Sequence, residues 1–222
     1  MFVRTRRAIV AAAVAVLAAM PVAAVTGAGA ASADPCTGTW SIGIGGLGNN
    51  NSSDFWGRVN QPVGYDSNNP ITGVWEVERL MWSHRDQCPG DHIKLIGHSE
   101  GAGIVHTVVT RNPGFGNANA ILLADPKRGW EQPGGPGMAD LAFAWWVQPF
   151  APWFPGFLSY PLAGVDDYYG DWPVLSVCHW QDWVCNTEAV AGFSHATGLH
   201  SWAYDFNSWA YGDWDNGPLM LG

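Results

Sequence analysis

Gly97-His98-Ser99-Glu100-Gly101 is the most informative motif of the sequence, because of the segments on either side of it. An apolar run, residues 92–96, precedes it, and a helix-like stretch, residues 102–111, follows it. A serine between two glycines at a sharp turn from strand to helix is typical of a nucleophile elbow. The glycines are needed there because strand and helix approach too closely for a Cβ atom. The pattern therefore predicts an activated serine at Ser99.

Residues 1–33 have the features of a secretory signal peptide. Three arginines precede an Ala/Val-rich run, residues 8–24, and the segment ends on small residues, Ala31-Ser32-Ala33. A membrane anchor is the alternative, but alanine is only mildly apolar and the small residues follow promptly. We expect cleavage after Ala33 and an exported, soluble chain, residues 34–222. Its length, about 190 residues, suits a single domain with one substantial core.

The mature chain is strongly acidic. The whole sequence has 10 Lys and Arg against 19 Asp and Glu, and three of the basic residues, Arg4, Arg6 and Arg7, lie in the predicted signal. Seven basic residues then remain against 19 acidic ones, a net charge of about −12. This charge argues against a nucleic-acid partner, because the phosphate backbone binds basic surfaces.

Four cysteines remain after the predicted cleavage: Cys36, Cys88, Cys178 and Cys185. An even number in an oxidising compartment predicts two disulfides. Of the three possible pairings, the short spacing favours Cys178 with Cys185, which leaves Cys36 to pair with Cys88. A zinc site is the competing interpretation, but the sequence has no Cys-x-x-Cys pair, and we expect no metal.

Short strands and helices alternate along the mature chain. The patterns predict strands at residues 40–44, 59–63, 92–96, 120–124 and 173–177, and helices at residues 70–85 and 102–111. Pro62 would confine the second strand to an edge or a strand end. The alternation predicts an α/β fold, a three-layer α/β/α sandwich with a central parallel sheet. Its active site should lie at the carboxyl ends of the strands.

Residues 126–170 interrupt this alternation. The span is rich in Pro, Gly and aromatic residues, among them Phe143, Trp145, Trp146, Phe150, Trp153, Phe154, Phe157 and Tyr160. Two interpretations stay open. The span could be an aromatic excursion buried against the sheet, or an apolar flap beside the active site that binds an acyl chain or a lipid surface.

The order of the other chemistry-bearing residues fits a serine hydrolase. A serine hydroxyl needs an imidazole to take its proton, and a carboxylate must orient that imidazole. Asp182 follows the strand at residues 173–177 and is preferred over Asp125, whose Asp125-Pro126 pair is typical of a strand-ending turn. His195 and His200 both follow Asp182, so either completes the order Ser, Asp, His.

Backbone groups near the serine are candidates for an oxyanion hole. The N–H of the residue after the nucleophile, Glu100, is one expected donor. The loop after the first strand, Gly45-Gly46-Leu47, should supply the second from Gly46 or Leu47. His98, next to Ser99 on a sharp turn, is interpreted as structural.

Several motifs resemble the cutinase family. Cys178-His179-Trp180-Gln181-Asp182-Trp183-Val184-Cys185 resembles its disulfide-closed loop, in which the catalytic aspartate stands in Cys-x-x-x-Asp-x-Val-Cys. Cys88-Pro89 is similar to the family's cysteine that pairs with one near the mature N-terminus. Phe193-Ser194-His195-Ala196-Thr197-Gly198 resembles secreted actinobacterial members, and Ile121-Leu122-Leu123-Ala124-Asp125-Pro126 is similar to the hydrolase domain attached to mycobacterial PE and PPE proteins. The resemblance covers most of residues 36–204.

The resemblance implies a secreted serine carboxylic-ester hydrolase that forms an acyl-enzyme. Ser99 would attack, His195, in preference to His200, would be the base, and Asp182 would orient it. No metal or organic cofactor is implied. The expected substrate is a lipid or polyester ester, with peripheral contact to a lipid surface, and we expect a monomer.

The sequence is also compatible with two alternative functions. A lipase or cell-envelope lipid esterase would suit the aromatic span. Many cutinases have Gly-Tyr-Ser-Gln-Gly at the elbow, whereas this chain has His98 and Glu100. A carboxylate beside a developing oxyanion is unfavourable unless it points away, so Glu100 is the one hint of a non-catalytic binding module on the same scaffold.

Overall fold

The computed structural model describes residue 36 and residues 38–143 and 161–222. Its centre is a sheet of six parallel strands in the order β2-β1-β3-β4-β5-β6. The strands are β1 Thr39–Ile44, β2 Gln61–Pro62, β3 His92–His98, β4 Ala118–Leu123, β5 Val174–His179 and β6 Gly217–Leu221. Since all six run the same way, the loops after their carboxyl ends meet at one edge of the sheet.

Two long helices cover one face of the sheet. The helices are α1 Ile71–Gln87, α2 Glu100–Arg111, and the short α3 Phe193–Ala196 and α4 Leu199–Trp202. Ile93 and Leu95 of β3 are fully buried in one core cluster with residues of α1 and α2. In α1, the buried positions Val74, Val77 and Met81 recur at helical spacing and form the face that packs on the sheet.

Short helical turns and loops cover the opposite face, where Phe55 and Ile96 lie in a second core cluster. This face also contains a buried lysine, Lys94 of β3. The Lys94 Nζ donates to the carbonyl oxygens of Ser208 at 3.2 Å and Tyr211 at 2.8 Å, and it lies 2.7 Å from the Asp213 Oδ1. A buried charge needs such partners, so Lys94 binds the C-terminal segment to the strand that leads into Ser99.

The predicted α/β fold with a central parallel sheet is confirmed. The predicted strand near Pro62 is present as the edge strand β2. Both disulfides are as predicted, Cys36 to Cys88 and Cys178 to Cys185. The strand β6 at the other edge was not predicted, because Gly-Pro-Leu-Met-Leu is short and has no alternation.

Two predictions concern residues outside the described part of the chain. These are the signal peptide, residues 1–33, and the central part of the aromatic span, residues 144–160. Within the described ranges, the structure contains no helix that is both long and apolar enough to cross a bilayer.

Candidate active site

The sharp turn after β3 carries Ser99 in a strained conformation. Its backbone φ is 56° and ψ is −123°, a region that side-chain-bearing residues rarely adopt. The two glycines of the motif allow this turn for a steric reason. A Cβ on Gly97 would overlap the carbonyl oxygen of Gly101, and a Cβ on Gly101 would overlap the carbonyl oxygen of Ile44. Strand, turn and helix therefore have the geometry that the sequence pattern predicts for a nucleophile elbow.

The loop after β1 lies directly beside the serine. A Cβ on Gly46 would stand 3.0 Å from the Cβ of Ser99. In the described part of the chain, no acceptor is hydrogen-bonded to the backbone N–H of Gly46 or Leu47, or to that of Glu100 at the start of α2. These N–H groups are the predicted oxyanion donors, and they are free to bind an anionic oxygen.

The loop closed by the Cys178–Cys185 disulfide holds Asp182 in a fully buried position. Asp182 Oδ1 accepts a hydrogen bond from the N–H of Val184 at 3.1 Å, and Oδ2 accepts one from the Tyr204 hydroxyl at 2.7 Å. Burial alone would raise the pKa of Asp182, but hydrogen bonds, the largest of them from His200, outweigh it and hold that pKa below its ordinary value. Asp182 is therefore a carboxylate with a fixed orientation.

The histidine that contacts Asp182 is His200. Its Nδ1 lies 2.7 Å from Asp182 Oδ2, so the Nδ1–H donates to the carboxylate and Nε2 is left as the basic nitrogen. The predicted pairing of Asp182 with His195 is wrong. The two histidines lie on separate short helices, α3 and α4, with Gly198 between them at φ 74°, and it is His200 on α4 that is buried toward the aspartate.

His195 instead stacks on His200. The two ring centroids are 4.5 Å apart with planes 20° from parallel, and His195 is exposed to solvent. Partial burial and the neighbouring His200 lower the pKa of His195. His195 therefore packs on one face of the His200 ring.

His98 contacts His200 from another side. Its Nε2–H donates to the backbone carbonyl of His200 at 2.8 Å, and the two rings lie 4.8 Å apart. Burial, and next the proximity of His200, lower the pKa of His98 to about 3, so the ring is neutral across the physiological range. This contact supports the structural interpretation of His98, because it fixes the backbone of the histidine that contacts Asp182.

These groups surround one open pocket of about 300 Å³. It is lined by Gly46, Leu47, Asn49, Asp54, His98, Ser99, His195, His200 and Ser201. The side chain of Glu100 is absent from this lining and is fully buried against Tyr65, 3.0 Å from its hydroxyl. The carboxylate beside the serine therefore points away from the place where an oxyanion would form.

The rival acid, Asp125, belongs to a different contact. Its Oδ2 lies 2.7 Å from the Nδ1 of His106, and both side chains are completely buried away from the pocket. In the described residues one set of potential metal ligands comes together, His84, Cys88 and Asp91. The Cys88 thiol is in a disulfide and His84 contacts Asp91 at 2.9 Å, so these groups already have partners.

Sequence reasoning missed one contributor to the site, Tyr204. His200 and Tyr204 are four residues apart, which brings them to one side of a helical turn, and both hydrogen-bond the same oxygen of Asp182. A His and a Tyr at this spacing, downstream of the aspartate loop, were the signal available in the sequence. His195 has no such partner four residues later, since residue 199 is a leucine.

The cutinase family model matches residues 47–210, which is more than half of the chain. No curated protein matches in sequence. Among solved structures, a cutinase-like protein from Cryptococcus sp. is 16% identical with a TM-score of 0.44, covering 83% of this chain and 98% of its own.

An esterase from Pyrococcus furiosus is 12% identical with a TM-score of 0.44, covering 84% of this chain and 74% of its own. Both solved structures are too distant to bear on the function. The family match covers the elbow, the disulfide-closed aspartate loop and the histidine-bearing helices together. The chain belongs to the cutinase family of carboxylic-ester hydrolases.

Proposed function

We propose that the protein cleaves carboxylic esters through an acyl-enzyme, with Ser99 as nucleophile, His200 as base and Asp182 as the group that orients His200. The hydrogen bond between His200 Nδ1 and Asp182 Oδ2 carries the proposal, because it directs the second ring nitrogen of His200 to the pocket that Ser99 also lines. The positive φ of Ser99 supports it, since strain of this kind is concentrated at functional residues.

Each step then follows from the position of one group. Ser99 Oγ attacks the ester carbonyl carbon while His200 Nε2 takes the hydroxyl proton. The carbonyl oxygen becomes an oxyanion and accepts hydrogen bonds from the N–H of Glu100 and from that of Gly46 or Leu47. As the intermediate collapses, His200 gives its proton to the departing alcohol. Water, deprotonated by His200, then attacks the acyl-enzyme, which releases the acid and restores the serine.

The two stacked histidines provide a matched test. His200→Ala should lower kcat on p-nitrophenyl butyrate by about 10⁴-fold or more, because removing a triad base leaves little beyond binding and the oxyanion hole. His195→Ala removes a ring of the same kind from the same pocket and should change kcat by less than about tenfold. Circular dichroism should match the wild type for both variants. A large loss in His195→Ala with turnover retained in His200→Ala would reverse the assignment.

Covalent labelling tests the nucleophile directly. Diethyl p-nitrophenyl phosphate should add one diethylphosphoryl group to Ser99, and peptide mapping should find it on no other serine. The adduct should not form in Ser99→Ala, and it should form far more slowly in His200→Ala. A folded wild-type protein that takes no label and hydrolyses no ester would instead support the non-catalytic binding module. The buried, averted side chain of Glu100 no longer argues for that alternative.

Apolar side chains at the pocket favour a lipid-like ester as substrate. Leu47 lines the pocket and is 47% exposed, and Trp202, next to the pocket residue Ser201, is 68% exposed. Exposed apolar groups beside a cleft bind apolar partners. In p-nitrophenyl esters of increasing chain length, kcat/KM should rise with length in the wild type and rise less in Trp202→Ala. Preference for acetate in both proteins would contradict an acyl or lipid contact here.

We also propose that the protein acts outside the cell. Two disulfides are typical of oxidising compartments, and residues 1–33 have the composition of a cleaved signal. Expression in the native host should yield a secreted chain that begins at Asp34. A full-length chain retained with the cells would contradict it.

A further inference from the structure

The buried hydroxyl of Tyr65 joins Glu100 to the loop that carries the proposed oxyanion donors. Tyr65 Oη lies 2.8 Å from the carbonyl oxygen of Gly45 and 3.0 Å from Glu100 Oε2. Gly45 directly precedes Gly46 and Leu47 in the loop, so the contact with its carbonyl sets where their N–H groups lie. Glu100 is thus connected to the oxyanion loop through one phenol oxygen, although its side chain is outside the pocket.

The hydrogen-bond donors around Tyr65 bear on the protonation state of Glu100. A phenol has a single O–H, and the carbonyl oxygen of Gly45 can only accept, so Tyr65 donates to Gly45. In its contact with Glu100, the Tyr65 oxygen must therefore accept a hydrogen bond. Glu100 Oε2 can donate that bond only when the carboxyl group is protonated. The other carboxyl oxygen, Oε1, is buried with no hydrogen-bond partner, which a charged carboxylate would tolerate poorly.

The remaining hydroxyl near Glu100 is already used. Ser67 Oγ donates to the Asn50 Oδ1 at 2.6 Å and accepts from the N–H of Gly48 at 3.2 Å. Residues 65–67 therefore contact the oxyanion loop on both sides of Gly46 and Leu47, through Gly45 and through Gly48. Glu100 joins this set of contacts through its 3.0 Å contact with the Tyr65 hydroxyl.

We propose that Glu100 is a positioning residue that acts as a protonated carboxylic acid, donating to Tyr65 so that Tyr65 holds the Gly45 carbonyl and fixes the oxyanion loop. The inference rests on the proposed function and adds to it a role for the Glu100 side chain, which lies outside the pocket, whereas the backbone N–H of Glu100 is a proposed oxyanion donor. When Glu100 ionises, the one proton of Tyr65 is attracted to the carboxylate, and the Gly45 carbonyl loses its partner.

The charges around Glu100 agree with a protonated state. The titratable groups that act on it are Tyr65 and Asp66, both on the segment before α1. Burial raises the pKa of Glu100 most, and the negative charge of Asp66 raises it further. The nearby hydroxyl groups of Tyr65 and Ser67 oppose this increase, and the result is a pKa of about 7 for Glu100. Burial and the charge of Glu100 raise the pKa of Tyr65, which therefore keeps its proton.

The consequence for catalysis is a fall of kcat on the alkaline side. Oxyanion contacts form in the transition state and not with the bound ester, so loosening the loop lowers kcat and leaves KM almost unchanged. Wild-type kcat should decrease about tenfold between pH 6.5 and pH 9.

Three variants test this with pH profiles of kcat, each normalised to its own value at pH 6.5. Glu100→Gln has an amide that donates to Tyr65 at every pH, so its profile should stay flat to pH 9. Tyr65→Phe should lower kcat by about ten- to a hundredfold with KM changed less than about threefold, and its profile should lack the alkaline fall. Tyr168→Phe, a change at an exposed phenol, is the control and should follow the wild type. An identical alkaline fall in wild type and Glu100→Gln would overturn the proposal.

A measurement without turnover separates this proposal from the proposed function. The protein is labelled with ¹³C at glutamate carboxyls, and the signal missing in Glu100→Gln identifies Glu100 among Glu76, Glu78, Glu100, Glu131 and Glu188. Its carboxyl resonance should titrate near pH 7. A protein that titrates so but cleaves no ester would refute only the catalytic role. Titration below pH 5 would refute the protonated Glu100 whatever the activity.

Discussion

Replacing the buried Glu100 by glutamine should stabilise the protein in alkaline solution. The Glu100 side chain has no solvent exposure, and one of its oxygens has no hydrogen-bond partner. Folding therefore disfavours the ionised carboxyl, and an amide of the same shape avoids that penalty.

The size of the effect follows from the pKa of Glu100, which burial raises from 4.5 to about 7. This difference corresponds to about 3 kcal/mol in the free energy of unfolding. Because the folded-state pKa of Glu100 is the higher one, the stabilising contribution is fully present below pH 4.5. It is lost as the pH rises to about 7 and stays lost above. Glu100→Gln should thus equal the wild type near pH 4.5 and exceed it by up to about 3 kcal/mol at pH 8.

The assay is urea unfolding of both proteins at several values between pH 4.5 and pH 9. Other groups titrate in this range, so the quantity of interest is the difference between variant and wild type at each pH. Glu131→Gln, a change at an exposed glutamate, is the control and should give a difference near zero throughout. A difference between Glu100→Gln and the wild type that does not change with pH would contradict this prediction, because it would mean that Glu100 keeps an ordinary pKa in the folded protein.

Further variants address the aspartate, the two disulfides and the elbow. Tyr204→Phe removes one hydrogen bond from the buried aspartate of the disulfide loop, so urea unfolding at pH 7 should show a loss of about 1.5–3 kcal/mol. That loss of stability should become smaller as the pH falls below 3.8, the ordinary pKa of an aspartate. A loss that does not depend on pH would contradict a hydrogen bond from Tyr204 to the ionised Asp182. Removing the Cys36–Cys88 disulfide should cost about 4 kcal/mol and removing Cys178–Cys185 about 2.5 kcal/mol, from the lengths of the loops they close. Turnover should nevertheless fall more without Cys178–Cys185, and the opposite ranking of kcat would be evidence against a role for that loop. Gly101→Ala should lower the free energy of unfolding by about 1–3 kcal/mol or more, because its Cβ overlaps backbone oxygens, whereas Gly90→Ala, with open space around it, should stay within about 0.5 kcal/mol in the same assay.

The parts of the fold and site that could be predicted are those encoded over a few consecutive residues. The elbow around Ser99 needs only a strand, two glycines and a helix in order, and the loop from Cys178 to Cys185 is closed by its own ends. The parallel sheet followed from alternating strands and helices. Such features depend little on the conformation of the rest of the chain.

The parts that could not be predicted depend on tertiary arrangement. Spacing along the chain allowed either His195 or His200 to reach Asp182, and only the relative orientation of α3 and α4 selects His200. The direction of the Glu100 side chain is decided in the same way. The backbone N–H of Glu100, at the start of α2, lies near the serine. Its carboxyl group contacts Tyr65, which lies 35 positions earlier in the chain. No local pattern carries this information.

The hydrogen bonds between β3 and the C-terminal segment have a consequence for how the molecule folds. The bonds from His98 to His200 and from Lys94 to Ser208 and Tyr211 span 102, 114 and 117 residues. Contacts between such distant residues form late, because a long stretch of chain must be ordered before they can close. A refolding population should therefore pass through a stage in which far-UV circular dichroism is nearly native while esterase activity has not yet appeared.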